Sequence, residues 1–248
     1  MKRKSISVVL SAGVGKRMGG NIAKQYMLLK DKPVICYGLQ AFEQSDYVDE
    51  CILVVGKGEV SYIKKEIVEK YNYKKVADVI EGGAERFLSV QNAMAIVEKK
   101  MQAEPDTEFI VFIHDGARPL VTETIIKDTY EAACTYGACC TAMPVTDTIK
   151  VASPNGFAID TPDRATLYAV QTPQVFKGEI IVKAYKLLEE QMDELLIRGI
   201  RITDDAMVVE HMLALPVKLV NGSYENIKLT TPEDLEVALR FLEKRNGE

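Results

Sequence analysis

"SVVLSAGVGKRMGG", residues 7–20, decides how the rest of the chain is read. A short apolar strand runs into a loop with four glycines and the adjacent cations Lys16 and Arg17. Glycine has no Cβ to hold a ligand away from the backbone, and the two cations point to an anionic ligand. With Lys24 in "AKQY", three positive charges fall within nine residues of a strand's C-terminal end. That is where open α/β sheets bind ligands. Lys16 by itself reads as a solvated surface charge. Two common glycine loops do not match. The dinucleotide fingerprint G-x-G-x-x-G needs a third glycine where this chain has Met18, and an acid at the end of the second strand, where it has Val55-Gly56-Lys57. The P-loop needs Gly-Lys-Ser/Thr, and none follows.

Outward from that loop, strands and helices alternate. "ISVVLS" reads as a strand; Val34, Ile35, Leu39 and Phe42 form a helical stripe after Pro33; "CILVVG" is a buried strand; residues 59–71 read as a helix. "KVADVIEGG" is a weaker strand, residues 86–100 are helical, "FIVFIHD" is another buried strand, and Thr122 caps a helix to about Tyr136. "ACCTAMPV" returns as a strand. Residues 146–170 break the rhythm, with strand-like stretches around "SPNG" and no helical stripe, and predict a projecting β-hairpin. Helices near 177–192 and 204–213, the strand "LPVKLV" and a last helix capped by Thr231, with Pro232 in its first turn, complete the pattern. The expected fold is an open, mostly parallel, Rossmann-like α/β sheet with helices on both faces. The expected organisation is a single domain, 1–248, with residues 146–170 inserted as an arm. The apolar residues of that arm have few partners of their own, so they are expected to pack against a second subunit.

Composition narrows the function. The chain has 248 residues, 47% of them hydrophobic, and a net charge of −5, which argues against a dedicated nucleic-acid binder. No apolar run approaches the roughly 18 residues of a membrane span. The five cysteines show no C-x-x-C pair, so a reduced, cytoplasmic protein is expected. With only His114 and His211, a histidine-built zinc site is not expected. His114 reads as structural and His211 as a surface residue.

Further segments join the first loop: "EGGAERFLSV" (81–90), "HDGARP" (114–119), "PVTDTIK" (144–150), "TPDRATLYAVQTPQVF" (161–176), "TDDAMVVE" (203–210) and "NGSYENIKLTTPEDL" (221–235). In this order and spacing the motifs resemble those of the 2-C-methyl-D-erythritol 4-phosphate cytidylyltransferases of the non-mevalonate isoprenoid pathway, from residue 6 to about 240. The chain departs from the family pattern at Ser11-Ala12-Gly13 (usually two alanines), Ala23 (usually proline), "HDGARP" (usually "HDAARP") and Ala84 (often an acid). None of these changes removes a charged catalytic group. Ribitol-5-phosphate cytidylyltransferases share the first loop, "QTPQ" and "NIK…TTP" and are the alternative within the enzyme class. A nucleotide-binding regulatory domain without turnover is the alternative outside it, and would be expected to lack the cations or Asp115.

The resemblance implies a Rossmann-like nucleotidyltransferase fold, CTP and a sugar-alcohol phosphate as substrates, Mg²⁺ as cofactor, and a homodimer with sites shared through the arm, with no nucleic-acid or membrane partner. It implies that Arg17 and Lys24 grip the triphosphate and that Lys228 reaches the phosphates. Asp115 would help hold Mg²⁺. Ala12, Gly13, Gly15, Gly83, Ala84, Ser89, Asp115 and Gly116 would frame the nucleotide. Thr148 and Arg164, on the arm, would bind the sugar phosphate in the partner's site. Apart from the resemblance, Arg118 reads as a carboxylate partner that shapes its loop, Asp204 and Asp205 as first-turn helix acids, and Asp147 as a residue that orients the arm.

Overall fold

The computed structural model describes residues 2–13 and 23–247. The apolar run after the charged head forms β1 (Lys2–Ser11). After it come β2 (Leu28–Leu29), β3 (Lys32–Pro33), α1 (Val34–Gln44) and β4 (Glu50–Val55). The helix read over 59–71 is divided. α2 (Val60–Ile63) passes into a π-helical stretch, Lys64–Glu69. β5 (Val76–Glu81), α3 (Arg86–Ala103), β6 (Thr107–Asp115), α4 (Glu123–Tyr136) and β7 (Ala138–Pro144) follow. The Thr122 side chain accepts the Ile125 N–H as the N-cap of α4, as expected.

The arm contains β8 (Val151–Ala152) and β9 (Ala158–Asp160), paired antiparallel around a turn in which the Gly156 N–H donates to the Ser153 carbonyl at 2.9 Å. Gly156 has φ +83°, which explains the glycine of "SPNG". The hairpin ends sooner than expected, because Tyr168, Ala169 and Val170 belong to the main sheet. They begin β10 (Tyr168–Lys177), a strand missing from the sequence reading. Pro173 within "QTPQVF" argues against a central strand. The chain accommodates it where the pairing of β10 with β7 shifts register between Val170 and Gln174. α5 (Gly178–Ile197), α6 (Asp205–Leu213), β11 (Lys218–Asn221) and α7 (Glu233–Asn246) complete the chain. The start of α7 differs from expectation. Thr231 does not cap it; instead the Asp234 carboxylate turns back and accepts the N–H groups of Thr230 and Thr231 at 2.6 and 2.8 Å.

The main sheet has seven strands in the order β11-β7-β10-β6-β1-β4-β5, and β10 alone runs antiparallel to its neighbours. β6 shows why the buried strands read as unbroken apolar runs. Phe109, Val111 and Ile113 pack with α3, α5 and α6 on one face, while Ile110 and Phe112 pack with α1 and α4 on the other. A third cluster, Leu29, Val34, Leu120, Leu229 and Ala238, seats α7 beside α1. The charged head of the chain is part of the sheet. Lys4 reaches Glu50 at 2.7 Å and Glu104 at 2.9 Å, Lys100 reaches Glu50 and Asp78, and both Arg3 and Lys177 pair with Glu108. No helix among the described residues is long and apolar enough to cross a membrane.

Phe112 is fully buried and its ring packs against those of Phe42 and Tyr130. Phe112→Ala is expected to lower the unfolding free energy by about 3–5 kcal/mol, measured by urea denaturation against the wild type.

Candidate active site

Four strands, β5, β4, β1 and β6, end side by side at one rim of the sheet. The glycines there are required by close approach. A Cβ on Gly82 would stand 2.4 Å from that of Ala12 and 2.6 Å from Ser89 Oγ. One on Gly116 would stand 2.8 Å from the Leu10 carbonyl oxygen, whose hydrogen-bond donor is the Gly116 N–H. The loops after β1 and β5 are thus in contact through Ala12 and Gly82. Sequence reasoning named Gly83 and Ala84 but not Gly82; a glycine pair does not reveal which member faces the neighbouring strand. Gly83 packs on Leu88 instead, and Ala84 is exposed. Ser89 folds this loop onto α3, accepting the Gly83 N–H at 3.1 Å and donating to the Glu85 carbonyl at 3.2 Å.

Asp115, the last residue of β6, is 8% exposed and lies among cations. Lys228 Nζ is 2.9 Å and Arg118 Nε 3.6 Å from Oδ2, and Arg86 Nε is 3.4 Å from Oδ1. Burial works to raise the pKa of this carboxyl. The charges of Arg86, Lys228 and Arg118 outweigh burial and hold it well below the usual carboxylate range. Arg118 therefore does pair with a carboxylate, and its Nη1 also donates to the Asn226 carbonyl at 2.8 Å.

Asp205 is more than a first-turn acid. It starts α6 fully buried, grips Arg86 through both oxygens at 3.0 and 2.7 Å, and accepts the Tyr185 hydroxyl at 2.6 Å. Burial works against the charge of Arg86, and the carboxylates of Asp205 and Asp115 more than restore it. Asp204 is the N-cap of α6, accepting the Met207 N–H, and Gln174 ties it to β10. Three cations meet two carboxylates, so the cluster keeps one positive charge over. Such a cluster is suited to an anionic ligand.

His114 lies on the opposite face of β6, fully buried, with the ring of Phe42 5.2 Å away. Its hydrogen bonds settle its tautomer. The Arg118 carbonyl can only accept, so Nε2 carries the proton and donates to it at 3.0 Å. Nδ1 then accepts the Thr172 hydroxyl at 3.1 Å, and Thr172 Oγ1 accepts the Asp115 backbone N–H at 3.0 Å. This chain of bonds fixes the backbone on both sides of Gly116. Burial pushes the imidazole down to about 4. With both nitrogens occupied, His114 has a structural role.

Gly15, Lys16 and Arg17 lie outside the described residues. Lys24 begins a 3-10 turn, Lys24–Tyr26, and its neighbour Gln25 is bonded to the end of β1. Thr148 and Arg164 are exposed on the arm, where Arg164 donates to the Thr146 carbonyl of its own arm at 2.9 Å.

The folded pKa of His114 lies below its ordinary value of 6.5. Between the two values the unfolded chain binds a proton that the folded chain refuses, so stability is intact above pH 6.5 and is lost as pH falls toward 4. Urea unfolding is expected to show about 2 kcal/mol more loss from pH 7 to pH 5 in the wild type than in His114→Gln. Parallel loss in the two proteins would remove this assignment.

The sequence model of the 2-C-methyl-D-erythritol 4-phosphate cytidylyltransferase (IspD) family matches residues 5–244. The protein of that name from Lachnospira eligens is 48% identical over 236 residues, 95% of this chain and 98% of its own length. The one from Alkaliphilus oremlandii is 43% identical over 242 residues, 98% of this chain and 96% of its own. A crystal structure of 4-diphosphocytidyl-2C-methyl-D-erythritol synthase from Anaerococcus prevotii matches the fold with a TM-score of 0.78 at 29% identity, covering 97% of this chain and 96% of that one. The cation-ringed rim is thus carried by a chain that belongs to the 2-C-methyl-D-erythritol 4-phosphate cytidylyltransferase family.

Proposed function

We propose that the protein transfers the cytidylyl group of CTP to 2-C-methyl-D-erythritol 4-phosphate, releasing diphosphate, in isoprenoid precursor synthesis. The observation that carries this reading is the cation cluster around Asp115 on the strand ends, beside the contact of the Ala12 methyl with Gly82. An oxygen of the substrate phosphate attacks the α-phosphorus in line, and the bond to the bridging oxygen breaks with its electron pair leaving on diphosphate. That nucleophile is anionic at neutral pH, so no side chain has to take its proton. The difficulty is bringing a phosphate anion up to a triphosphate, and preorganised positive charge is the remedy. In this reading Arg17 and Lys24 grip the triphosphate, and Lys228, held by Asp115 in the free protein, reaches the phosphates. Arg118 shapes its own loop. Gly15 and Gly116, with Ala12, Gly13, Gly83, Ala84 and Ser89, frame the nucleotide, mostly through the backbone.

Mg²⁺ belongs to the reading as an ion that arrives with the nucleotide. Asp115 stays ionised, and Arg86 holds its Oδ1 only at 3.4 Å, so one carboxylate oxygen is available beside the phosphates. One carboxylate plus phosphate oxygens is a donor set that Mg²⁺ accepts. When bound, the ion supplies further neutralisation of the triphosphate. The chain is proposed to act as one domain, 1–248, in the cytoplasm. Its arm, 146–170, exposes Phe157 (74%) and Ile159 (66%), with Ile149 and Val151 beside them. A twofold-related arm is proposed to cover them, which places Thr148 and Arg164 at the sugar phosphate of the neighbour's site.

Diphosphate release from CTP and Mg²⁺ is expected with the methylerythritol phosphate. Release only with ribitol 5-phosphate, assayed in parallel, would overturn the substrate, and release with neither would overturn the activity. Arg17→Ala and Lys24→Ala are each expected to lower turnover on the order of 100-fold, with near-normal thermal melts. Arg164→Ala and Lys24→Ala, both inactive alone, are expected to recover about a quarter of wild-type activity when mixed and allowed to exchange subunits. Exchange without recovery would mean that Arg164 serves its own chain.

A further inference from the structure

Gln25 has no part in the chemistry above, yet it is 3% exposed and both hydrogens of its amide nitrogen have acceptors. Nε2 donates to the Ser11 carbonyl at 2.7 Å and to the Gly13 carbonyl at 3.0 Å. An amide nitrogen carries two hydrogens, and each has an acceptor here. These carbonyls lie on either side of Ala12, at the point where β1 ends. Gln25 sits in the short turn Lys24–Tyr26, directly after Lys24.

The next residue fastens the same turn a second time. The Ser11 hydroxyl donates to Tyr26 Oη at 3.1 Å, and the Tyr26 hydroxyl donates to Glu59 Oε2 at 3.0 Å. That oxygen also accepts the Gly56 N–H, just beyond β4, at 3.0 Å. Tyr26 thus ties the turn to side chains and to the next strand. Gln25 ties it to the backbone on either side of Ala12, whose methyl touches Gly82.

We infer that Gln25 is a positioning residue for CTP: its amide sets where the Lys24 turn stands relative to the Ala12–Gly13 backbone. The inference rests on the cytidylyltransferase reading, in which Lys24 holds the triphosphate and the Ala12–Gly13 backbone frames the nucleoside. Both belong to one ligand, so an error in their spacing weakens the grip on CTP. The sugar phosphate is held by other residues and is indifferent to that spacing. Methionine matches the length of Gln25 but has no N–H, and glutamate at neutral pH turns an acceptor toward two acceptors.

The test measures KM for CTP and for the methylerythritol phosphate, each at saturating co-substrate, in the wild type, Gln25→Met and Gln25→Glu, with a thermal melt of each. Losing two neutral hydrogen bonds is expected to raise KM for CTP about tenfold in Gln25→Met, and more in Gln25→Glu, where the carboxylate faces both carbonyls. KM for the sugar phosphate is expected to stay within about twofold. If Gln25→Glu does not fold, Gln25→Met decides. A wild-type KM for CTP in Gln25→Met, a parallel rise in both KM values, or loss of its cooperative melt would each overturn the inference. Absence of turnover in the wild type would instead overturn the cytidylyltransferase reading beneath it, so the two failures are distinct.

Discussion

One buried anion organises this molecule. Asp115 ends the central strand β6, and it can stay ionised there only because Arg86, Arg118 and Lys228 converge on it. Each cation comes from a different stretch of chain: the first residue of α3, the loop after β6, and the segment before α7. Removing any one leaves a charge less well compensated in a site of low polarity, which is costly. The rim of the sheet is therefore assembled by electrostatics, and the glycine contacts at Gly82 and Gly116 let the backbones come close enough for that assembly.

Alternation along β6 divides the labour. Its apolar residues supply both cores, and the same period of two sends His114 to one face and Asp115 to the other. The neutral imidazole fixes the backbone through Thr172 and the Arg118 carbonyl. The carboxylate beside it collects the cations. Both adjacent residues are held deprotonated, His114 neutral because burial disfavours its cation and Asp115 charged because cations surround it.

Much of this was legible in sequence. Runs such as "CILVVG" and "FIVFIHD" have one physical explanation, burial on both faces, and they became β4 and β6. Asp115 was legible as a candidate at the end of a buried strand, and Lys228 only through the family resemblance of its motif. What escaped notice had ambiguous local chemistry. Pro173 concealed β10, since a proline is normally poor evidence for an inner strand. Asp205 looked like any acid in a helix's first turn, where dipole and solvent suffice to explain it; only the fold brings Arg86 and Tyr185 to it. Asp234, not Thr231, organises the start of α7, its carboxylate reaching back to the N–H groups of Thr230 and Thr231 where a threonine cap would reach forward into the helix.

The two rims of the sheet differ in a way that concerns encounter rather than binding. At the rim where β1 begins, Lys4 lies between Glu50 and Glu104, and Arg3 and Lys177 share Glu108. Those charges largely cancel one another. At the far rim the cluster around Asp115 and Asp205 keeps one positive charge, in a chain whose net charge is −5. A polyanion diffusing past is repelled by the molecule as a whole and attracted at one edge. Capture of such a ligand is then governed by a short-range funnel rather than by the total charge, and the added salt that weakens the funnel also relieves the repulsion around it.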